Sequence, residues 1–228
     1  MAKNQALPLD LPDYTPDFSF EDQHSHGHVC GIDEAGRGPL AGPVVAAAVI
    51  IRRADMPMEI LVQINDSKKL DRDKREFLFS MINQYAHVSV GVCSVEEIDR
   101  INILQASLLA MRKAHMKLKK LVEIPPVAAL IDGNMPPKLG RGVNVLTIVK
   151  GDARSYSIAA ASIIAKHHRD EIMIRHAKKF PQYGWMTNAG YGTPEHLEAL
   201  EKHGVTPLHR RSFAPVSNRL DKQSSANN

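Results

Sequence analysis

The strongest constraint on the fold comes from residues 29–51, which read VCGIDEAGRGPLAGPVVAAAVII. Two apolar runs rich in β-branched residues lie on either side of a segment rich in glycine and proline. Apolar runs bounded in this way are typical of buried strands. The first run ends in two acids, Asp33 and Glu34. The sequence therefore predicts two buried strands joined by a tight connection, with two carboxylates where the connection begins.

Adjacent carboxylates at the end of a buried strand are costly unless a positive charge compensates them. Carboxylate oxygens are ligands that Mg²⁺ and Mn²⁺ accept, so a bound divalent cation is one source of that charge. The alternative is a solvated strand end, where acids are also found. Neighbouring strand residues point to opposite faces, so Asp33 and Glu34 share a metal site only if the chain twists or leaves the strand there.

The turn that follows, Gly36, Arg37 and Gly38, favours contact with a phosphate or a sugar hydroxyl. Glycines let the backbone approach a ligand and direct N–H groups towards it, and arginine offers a planar fork for phosphate. Carboxylates for a metal beside donors for phosphate are what phosphodiester cleavage requires. A dinucleotide-binding loop, a Walker A loop and a G-x-S-x-G elbow are all absent from the sequence.

An acid follows an apolar strand at two further places. The predicted strand over residues 127–131 ends in Asp132, and the predicted strand over residues 143–149 precedes a Lys-Gly-Asp turn that contains Asp152. Ligands gather at the carboxyl ends of strands in open α/β sheets, so we expect these acids to converge with Asp33. Four such acids can hold two divalent ions about 3.5–4 Å apart. Asp152 has an alternative role as the N-cap of the next helix.

The remaining elements follow from hydrophobic spacing and capping residues. A helix capped by Asp71 or Ser67 is predicted, with an apolar face from Leu70 to Tyr85. A third strand is predicted over residues 87–93, and further helices over residues 95–100, 103–121, 155–179 and 194–203. Lys68 and Lys69 precede the first helix, and they either contact a nucleic acid backbone or form a solvated pair. Tyr191 lies in a second turn, between Gly190 and Gly192, and basic residues occur again at 209–211. An exposed tyrosine there can stack on a base or sugar, or it can pack the loop.

Composition sets broader limits. The net charge of +4 and the pI near 9.0 suit a polyanionic partner without requiring one. The sequence has no run of about 18 apolar residues and no secretory signal, so no membrane partner is expected. Cys30 and Cys93 lie in apolar runs and are predicted to be buried thiols, as is typical of a cytoplasmic protein.

Both ends of the chain are predicted to be flexible tails, over residues 1–27 and 216–228. Three histidines alternate between positions 24 and 28. We interpret them as part of a solvated tail rather than a metal site, because nothing nearby completes a tetrahedral set of ligands.

The motifs taken together closely resemble the bacterial ribonuclease HII family over about residues 29–216. The matching segments are GIDEAGRGP at 31–39, NDSKKL at 65–70, IDGN at 131–134, KGD at 150–152, AASIIAK at 160–166, GY at 190–191 and HRRSF at 209–213. Any one of these segments alone would be weak, whereas the combination is highly specific.

The resemblance implies a ribonuclease H-like α/β fold with a mixed five-stranded sheet flanked by helices. The catalytic domain would span residues 28–180, and a small helical C-terminal segment over residues 181–215 would complete the substrate groove. The implied activity is cleavage of RNA in RNA–DNA hybrids and incision 5′ of single ribonucleotides in duplex DNA, leaving 3′-hydroxyl and 5′-phosphate ends. We expect a monomer. Another nuclease of the same fold, such as a junction resolvase, and a non-catalytic nucleic-acid-binding module are the alternatives.

The resemblance also implies residue roles. The residues that would hold Mn²⁺ or Mg²⁺ are Asp33, Glu34, Asp132 and Asp152. The residues that would sense the 2′-hydroxyl are Gly36, Arg37 and Gly38. Tyr191 would stack on the sugar next to the ribonucleotide and favour deoxyribose there. The 2′-hydroxyl is the group by which a protein distinguishes RNA from DNA at a given position.

Overall fold

The structure, a computed structural model, describes residues 14–24 and 26–226. A five-stranded sheet forms its centre, and helices cover both faces. The strands are β1 (Val29–Ala35), β2 (Val44–Ile51), β3 (Ala86–Cys93), β4 (Ala128–Asp132) and β5 (Asn144–Ile148). The α-helices are α1 (Met58–Leu61), α2 (Arg72–Tyr85), α3 (Val95–Ile101), α4 (Ile103–Leu121), α5 (Tyr156–Lys179), α6 (Trp185–Asn188), α7 (Pro194–His203) and α8 (Ala214–Ala226). Single 3₁₀ turns occupy Glu21–Gln23, Ser67–Lys69, Gly151–Ala153 and Pro181–Tyr183.

The sheet is mixed, with the order β3-β2-β1-β4-β5. Strands β1, β2 and β3 pair antiparallel, whereas β4 pairs parallel to β1 and β5 pairs parallel to β4. Ile32 of β1 pairs with Ile131 of β4, so Asp33 and Asp132 occupy neighbouring positions where the two strands end. The mixed five-stranded α/β fold implied by the resemblance is confirmed.

Side-chain alternation along the strands sends apolar residues to two separate cores. Cys30 and Ile32 pack in the core under α4, while Ala47 and Val49 pack against α5 and α2. Helix α5 lies very close to β1, because a Cβ atom at Gly31 would be 2.1 Å from the carbonyl carbon of Ser157. A small-residue first half makes this approach possible, and it includes the buried residues Ala159, Ala160, Ala161 and Ala165.

Capping residues fix where the helices begin. Asp71 caps α2 by accepting from the Lys74 N–H, in agreement with one of the two predicted caps. Ser155 caps α5 by accepting from the Ile158 N–H. The alternative role of Asp152 as the cap of this helix is therefore wrong, because the cap lies three residues later. Helix α4 and helix α7 match their predicted ranges.

Within the described residues, parts of both predicted tails are packed against the rest of the structure. Helix α8 continues beyond residue 216, because Val216 is fully buried and packs with Leu40 and Leu200. Before the sheet, Glu21 is buried and its Oε1 accepts hydrogen bonds from the Ser155 hydroxyl and the Ser157 N–H. The expectation of flexibility for residues 1–13, 25, 227 and 228 lies outside the described residues.

Cys30 and Cys93 are buried and free, as predicted from the apolar runs around them. Burial raises the pKa of the Cys30 thiol to about 12, so this thiol stays protonated and unreactive at neutral pH. Among the helices of the described residues, none has the length and apolar character needed to cross a membrane.

Candidate metal centre and nucleic-acid cleft

Three carboxylates meet where the central strands end. Asp33 lies near the end of β1, Asp132 is the last residue of β4, and Asp152 lies in the 3₁₀ turn after β5. One carboxylate oxygen from each of the three lies within 4.8 Å of the others. The parallel pairing of β1, β4 and β5 produces this arrangement, because parallel strands end at the same edge of a sheet.

The turn after β5 is shaped to bring Asp152 to this cluster. Lys150 adopts a left-handed conformation with φ of 55°, which turns the chain back over β4. The Gly151 N–H then donates to Asp132 Oδ1 at 2.8 Å. A Cβ atom at Gly151 would lie 2.6 Å from the terminal methyl of Ile158, so a larger residue there would require this side chain to move. The Lys-Gly-Asp motif therefore ties two of the acids together directly.

The buried carboxylates raise one another's pKa. Burial raises the pKa of Asp33 well above its usual range, and the charges of the neighbouring carboxylates raise it further. Burial and the charge of Asp132 raise the pKa of Asp152 to about 6. Buried carboxylates that repel one another in this way fit a divalent cation, because a cation bound between them would compensate both the burial and the repulsion. The donor set of oxygens alone suits Mg²⁺ or Mn²⁺.

Glu34 occupies a different position from the other three acids. It follows Asp33 in a continuous strand, and among the described residues it is not part of the 4.8 Å carboxylate group. Burial raises the pKa of Glu34, and the guanidinium of Arg37, 3.4 Å away, opposes that rise. The charge of Asp132 also raises the pKa of Glu34, so this carboxylate lies at the margin of the same negative field.

Lys68 also lies beside the carboxylate cluster. Its Nζ is 4.0 Å from Asp152 Oδ2, but the side chain is 79% exposed, so the contact is loose. Burial would lower the pKa of Lys68, yet the carboxylates of Asp66 and Asp152 outweigh burial and raise it. Lys69 completes the same 3₁₀ turn. The turn is held against α5 by a 2.8 Å hydrogen bond between the hydroxyls of Ser67 and Ser162.

A cleft of about 240 Å³ opens beside the carboxylates. Asp33, Glu34 and Lys68 line it. Other residues that line it are Gly36, Arg37, Gly38, Lys166 and Tyr191. Tyr191 is 47% exposed, and a Cβ atom at Gly38 would be 3.5 Å from its ring. The glycine turn and the tyrosine therefore face each other across a narrow gap next to the acids.

A model of the Ribonuclease HII family matches residues 30–216. The chain belongs to the ribonuclease HII family. Ribonuclease HII of Paramagnetospirillum magneticum is 53% identical over 202 residues, which cover 89% of this chain and 97% of that protein. Ribonuclease HII of Cereibacter sphaeroides is 53% identical over 223 residues, covering 96% and 99%. The crystal structure of ribonuclease H2 from Pyrococcus horikoshii has a TM-score of 0.71 at 28% identity, covering 86% of this chain and 98% of that one.

Family membership makes the chain an endoribonuclease of the ribonuclease H class. The family depends on divalent metal ions, and the carboxylate group described above is the place in the described structure with suitable ligands. A larger cleft of about 600 Å³ lies at the other end of β1. Two of its carboxylates form ion pairs, Asp22 with Arg53 and Asp55 with Arg52, and a third, Glu21, accepts hydrogen bonds from Ser155 and Ser157. Among the described residues these carboxylates do not form a group comparable to Asp33, Asp132 and Asp152.

The residues that hold the Gly36–Gly38 turn in place through hydrogen bonds to its carbonyl oxygens were not identified from the sequence. The guanidinium of Arg210 is fully buried and donates to the carbonyl oxygens of Gly36 and Arg37 at 2.6 and 2.9 Å. It also donates to Gly42 and Pro43. Within the basic run at residues 209–211, His209 and Arg210 are buried and Arg211 is exposed.

A second buried guanidinium, that of Arg169 in α5, completes this support. It donates to the carbonyl oxygens of Ala41 and Pro43, and to that of Ala189 near the tyrosine. The Arg169 side chain is only 1% exposed. No local signal in the sequence distinguishes a buried arginine that binds carbonyls from an exposed one.

Proposed function

We propose that this ribonuclease HII cleaves the RNA strand of RNA–DNA hybrids and incises duplex DNA 5′ of single embedded ribonucleotides. The products would carry 3′-hydroxyl and 5′-phosphate ends. The observation that carries the proposal is the convergence of Asp33, Asp132 and Asp152 beside a cleft lined by the glycine turn and Tyr191. Acids for metal and donors for a phosphate and a sugar are thus next to each other.

The carboxylates of Asp33, Asp132 and Asp152 would hold two divalent ions, Mn²⁺ or Mg²⁺, with Glu34 as the fourth ligand. Such ions, when bound, lower the pKa of a coordinated water and stabilise the charge on the leaving oxygen. The protein's part is to fix the carboxylates before substrate arrives. The Gly151 N–H donates to Asp132 Oδ1 and holds that carboxylate in place. The Glu34 N–H donates to Asp33 Oδ1 at 2.6 Å and holds the second carboxylate.

The cleft would select the substrate. Gly36, Arg37 and Gly38 would read the 2′-hydroxyl, because close backbone approach is possible at the two glycines. The Tyr191 ring, half exposed in the cleft, would stack on the neighbouring sugar. The side chain of Lys68 would neutralise a backbone phosphate, a role that makes binding depend on salt. The same role for Lys69 stays a prediction, because its side chain lies outside the described part of the structure.

The test is a nicking assay with duplex DNA that contains one ribonucleotide, an RNA–DNA hybrid and an all-DNA duplex. We expect cutting with Mn²⁺ or Mg²⁺, none with chelator, none of all-DNA duplex, and a cut mapped to the 5′ side of the ribonucleotide. Binding without cutting in any metal would favour a non-catalytic module. Cutting of a four-way junction with no cutting at the ribonucleotide would favour another nuclease of the same fold. The monomeric state and the cytoplasmic location stay predictions.

A further inference from the structure

A chain of hydrogen bonds between buried side chains ends at the backbone of Tyr191. The Thr206 N–H donates to Nδ1 of His209 at 3.0 Å. Nε2 of His209 lies 3.1 Å from Nε2 of His196, and Trp185 Nε1–H also donates to that atom at 3.1 Å. Nδ1 of His196 lies 2.8 Å from the Tyr191 carbonyl oxygen. The four contacts connect α6, α7 and the loop before α8 to the tyrosine.

The donors assign the proton on each ring. Both histidines are buried, and burial lowers the pKa of His209 to about 4 and lowers that of His196 as well, so both are neutral at pH 7. A neutral imidazole has one donor and one acceptor nitrogen. Because Nδ1 of His209 accepts from Thr206, its Nε2 carries the proton and donates to His196. The proton of His196 is therefore on Nδ1 and points to Tyr191.

The tyrosine backbone is held on both sides of this bond. The Tyr191 N–H donates to the backbone carbonyl oxygen of Asn188 at 2.9 Å. The Tyr191 carbonyl oxygen also accepts from the Thr193 N–H at 2.9 Å. The carbonyl of Gly190 accepts from the Leu40 N–H at 2.8 Å. The ring itself is exposed in the cleft. Its position opposite the glycine turn is thus set through its main chain, and His196 provides the only side-chain donor to Tyr191 seen in the described part of the structure.

We propose that His196 is a positioning residue for Tyr191, and that His209 and Thr206 act through it by fixing its tautomer. The inference rests on the proposed function, because it assumes that Tyr191 contacts the sugar beside a single ribonucleotide. On this basis His196 sets the ratio of cleavage at a single embedded ribonucleotide to cleavage of a continuous hybrid. This chain of contacts does not include Asp33, Asp132 or Asp152. Substitution of His196 should therefore leave metal binding unchanged.

Two substitutions separate the donor from the rest of the imidazole. His196→Asn places an amide N–H near the Nδ1 position and loses the group near Nε2, whereas His196→Gln does the reverse. Both remove the same ring from the same buried site, so their loss of thermal stability should be similar. We expect His196→Gln to lower the cleavage ratio about tenfold, the effect of one lost hydrogen bond, and His196→Asn to stay within about twofold of wild type.

A double-mutant cycle tests whether the effect passes through the tyrosine. In a Tyr191→Ala background, His196→Gln should no longer change the ratio. A ratio that is equal in the Asn and Gln variants, or that still changes when Tyr191 is alanine, would overturn the inference alone. A wild-type enzyme that cuts neither substrate would overturn the proposed function and this inference with it.

The wild-type protein provides a second test that does not depend on a variant folding. Nitrogen chemical shifts of the imidazole rings identify the protonated atom of each histidine. The proposal requires His196 to carry its proton on Nδ1 and His209 on Nε2 at pH 7. The opposite tautomer at His196 would leave no proton for the Tyr191 carbonyl, and this result would overturn the proposal whatever the cleavage ratios.

Discussion

Replacing Arg210 by methionine removes the four hydrogen bonds that its guanidinium donates to the segment after β1. Methionine keeps an unbranched apolar stem of similar length in the buried site. The carbonyl of Pro43 retains a donor, because Arg169 Nε also donates to it at 3.2 Å. The carbonyls of Gly36, Arg37 and Gly42 lose the guanidinium entirely. The exposed neighbour Arg211 provides the matched control.

The magnitude follows from these three carbonyls. Each buried acceptor left without a donor, here the carbonyls of Gly36 and Gly42, costs about 1–3 kcal/mol, and the part-buried carbonyl of Arg37 costs less. Part of that cost is offset, because burial and the nearby charge of Arg169 lower the pKa of Arg210 to about 9, and the variant no longer buries this charge. We therefore expect the free energy of unfolding to fall by about 3–4 kcal/mol. For a chain of this length the corresponding decrease in Tm is about 10 °C.

Urea unfolding followed by the fluorescence of Trp185, the one tryptophan of the chain, measures this loss. Cleavage of the single-ribonucleotide duplex should fall as well, because the Gly36–Gly38 turn is no longer held. Arg210→Lys should also be destabilised, since an ammonium lacks the planar fork that reaches several carbonyls. The reasoning is refuted if the free energies of unfolding of Arg210→Met and Arg211→Met differ by less than about 0.5 kcal/mol, the usual range of surface substitutions.

Three further outcomes are expected. Gly31→Ala should prevent stable folding, because its Cβ would meet the Ser157 backbone at 2.1 Å. Gly38→Ala should keep the wild-type Tm and impair cleavage, because its Cβ would lie 3.5 Å from the Tyr191 ring. Thermal melts measure the stability of both variants, and a nicking assay measures cleavage. Asp33→Asn should abolish cleavage and retain hybrid binding in a filter assay. It should also raise the Tm measured in chelator, because Asp33 no longer carries a charge that the neighbouring carboxylates repel. As the pH falls from 6.5 to 4, the unfolded chain protonates His209 while the folded chain resists, so His209 by itself lowers the free energy of unfolding by about 3 kcal/mol. The raised pKa of Asp33 and that of Asp152 act in the opposite direction, because the folded chain takes up these protons first. The measurement is therefore the difference in free energy of unfolding between wild type and His209→Gln, which should shrink by about 3 kcal/mol over this range.

The sheet and its acids could be predicted because their signals are local. Apolar runs with glycine and proline at their ends specify strands, and the acids at the ends of β4 and β5 stand directly beside those runs. Parallel pairing then brings Asp33, Asp132 and Asp152 together without further information. The position of Glu34 could not be derived, because strand geometry separates it from Asp33 and only the folded structure gives its contact with Arg37.

The support behind the cleft could not be predicted, because its signals are not local. Arg210 and Arg211 are adjacent and chemically identical in the sequence, yet one is buried and the other is exposed. Their difference depends on where the chain after α7 crosses the loop between β1 and β2, which no periodicity encodes. The same holds for His196, whose place on a short amphipathic helix gives no indication that it contacts Trp185 and Tyr191.

The contacts divide the enzyme into two structural units with different tasks. The carboxylates are fixed by the sheet and by the turn after β5. The glycine turn and Tyr191 are fixed to one another by the C-terminal segment, since Leu40 exchanges backbone hydrogen bonds with Gly190 and Arg210. A change in the C-terminal segment should therefore move both substrate-reading elements together and leave the metal ligands in place. Substrate preference can change on such a scaffold without loss of the hydrolytic chemistry, because the two are held by different hydrogen bonds.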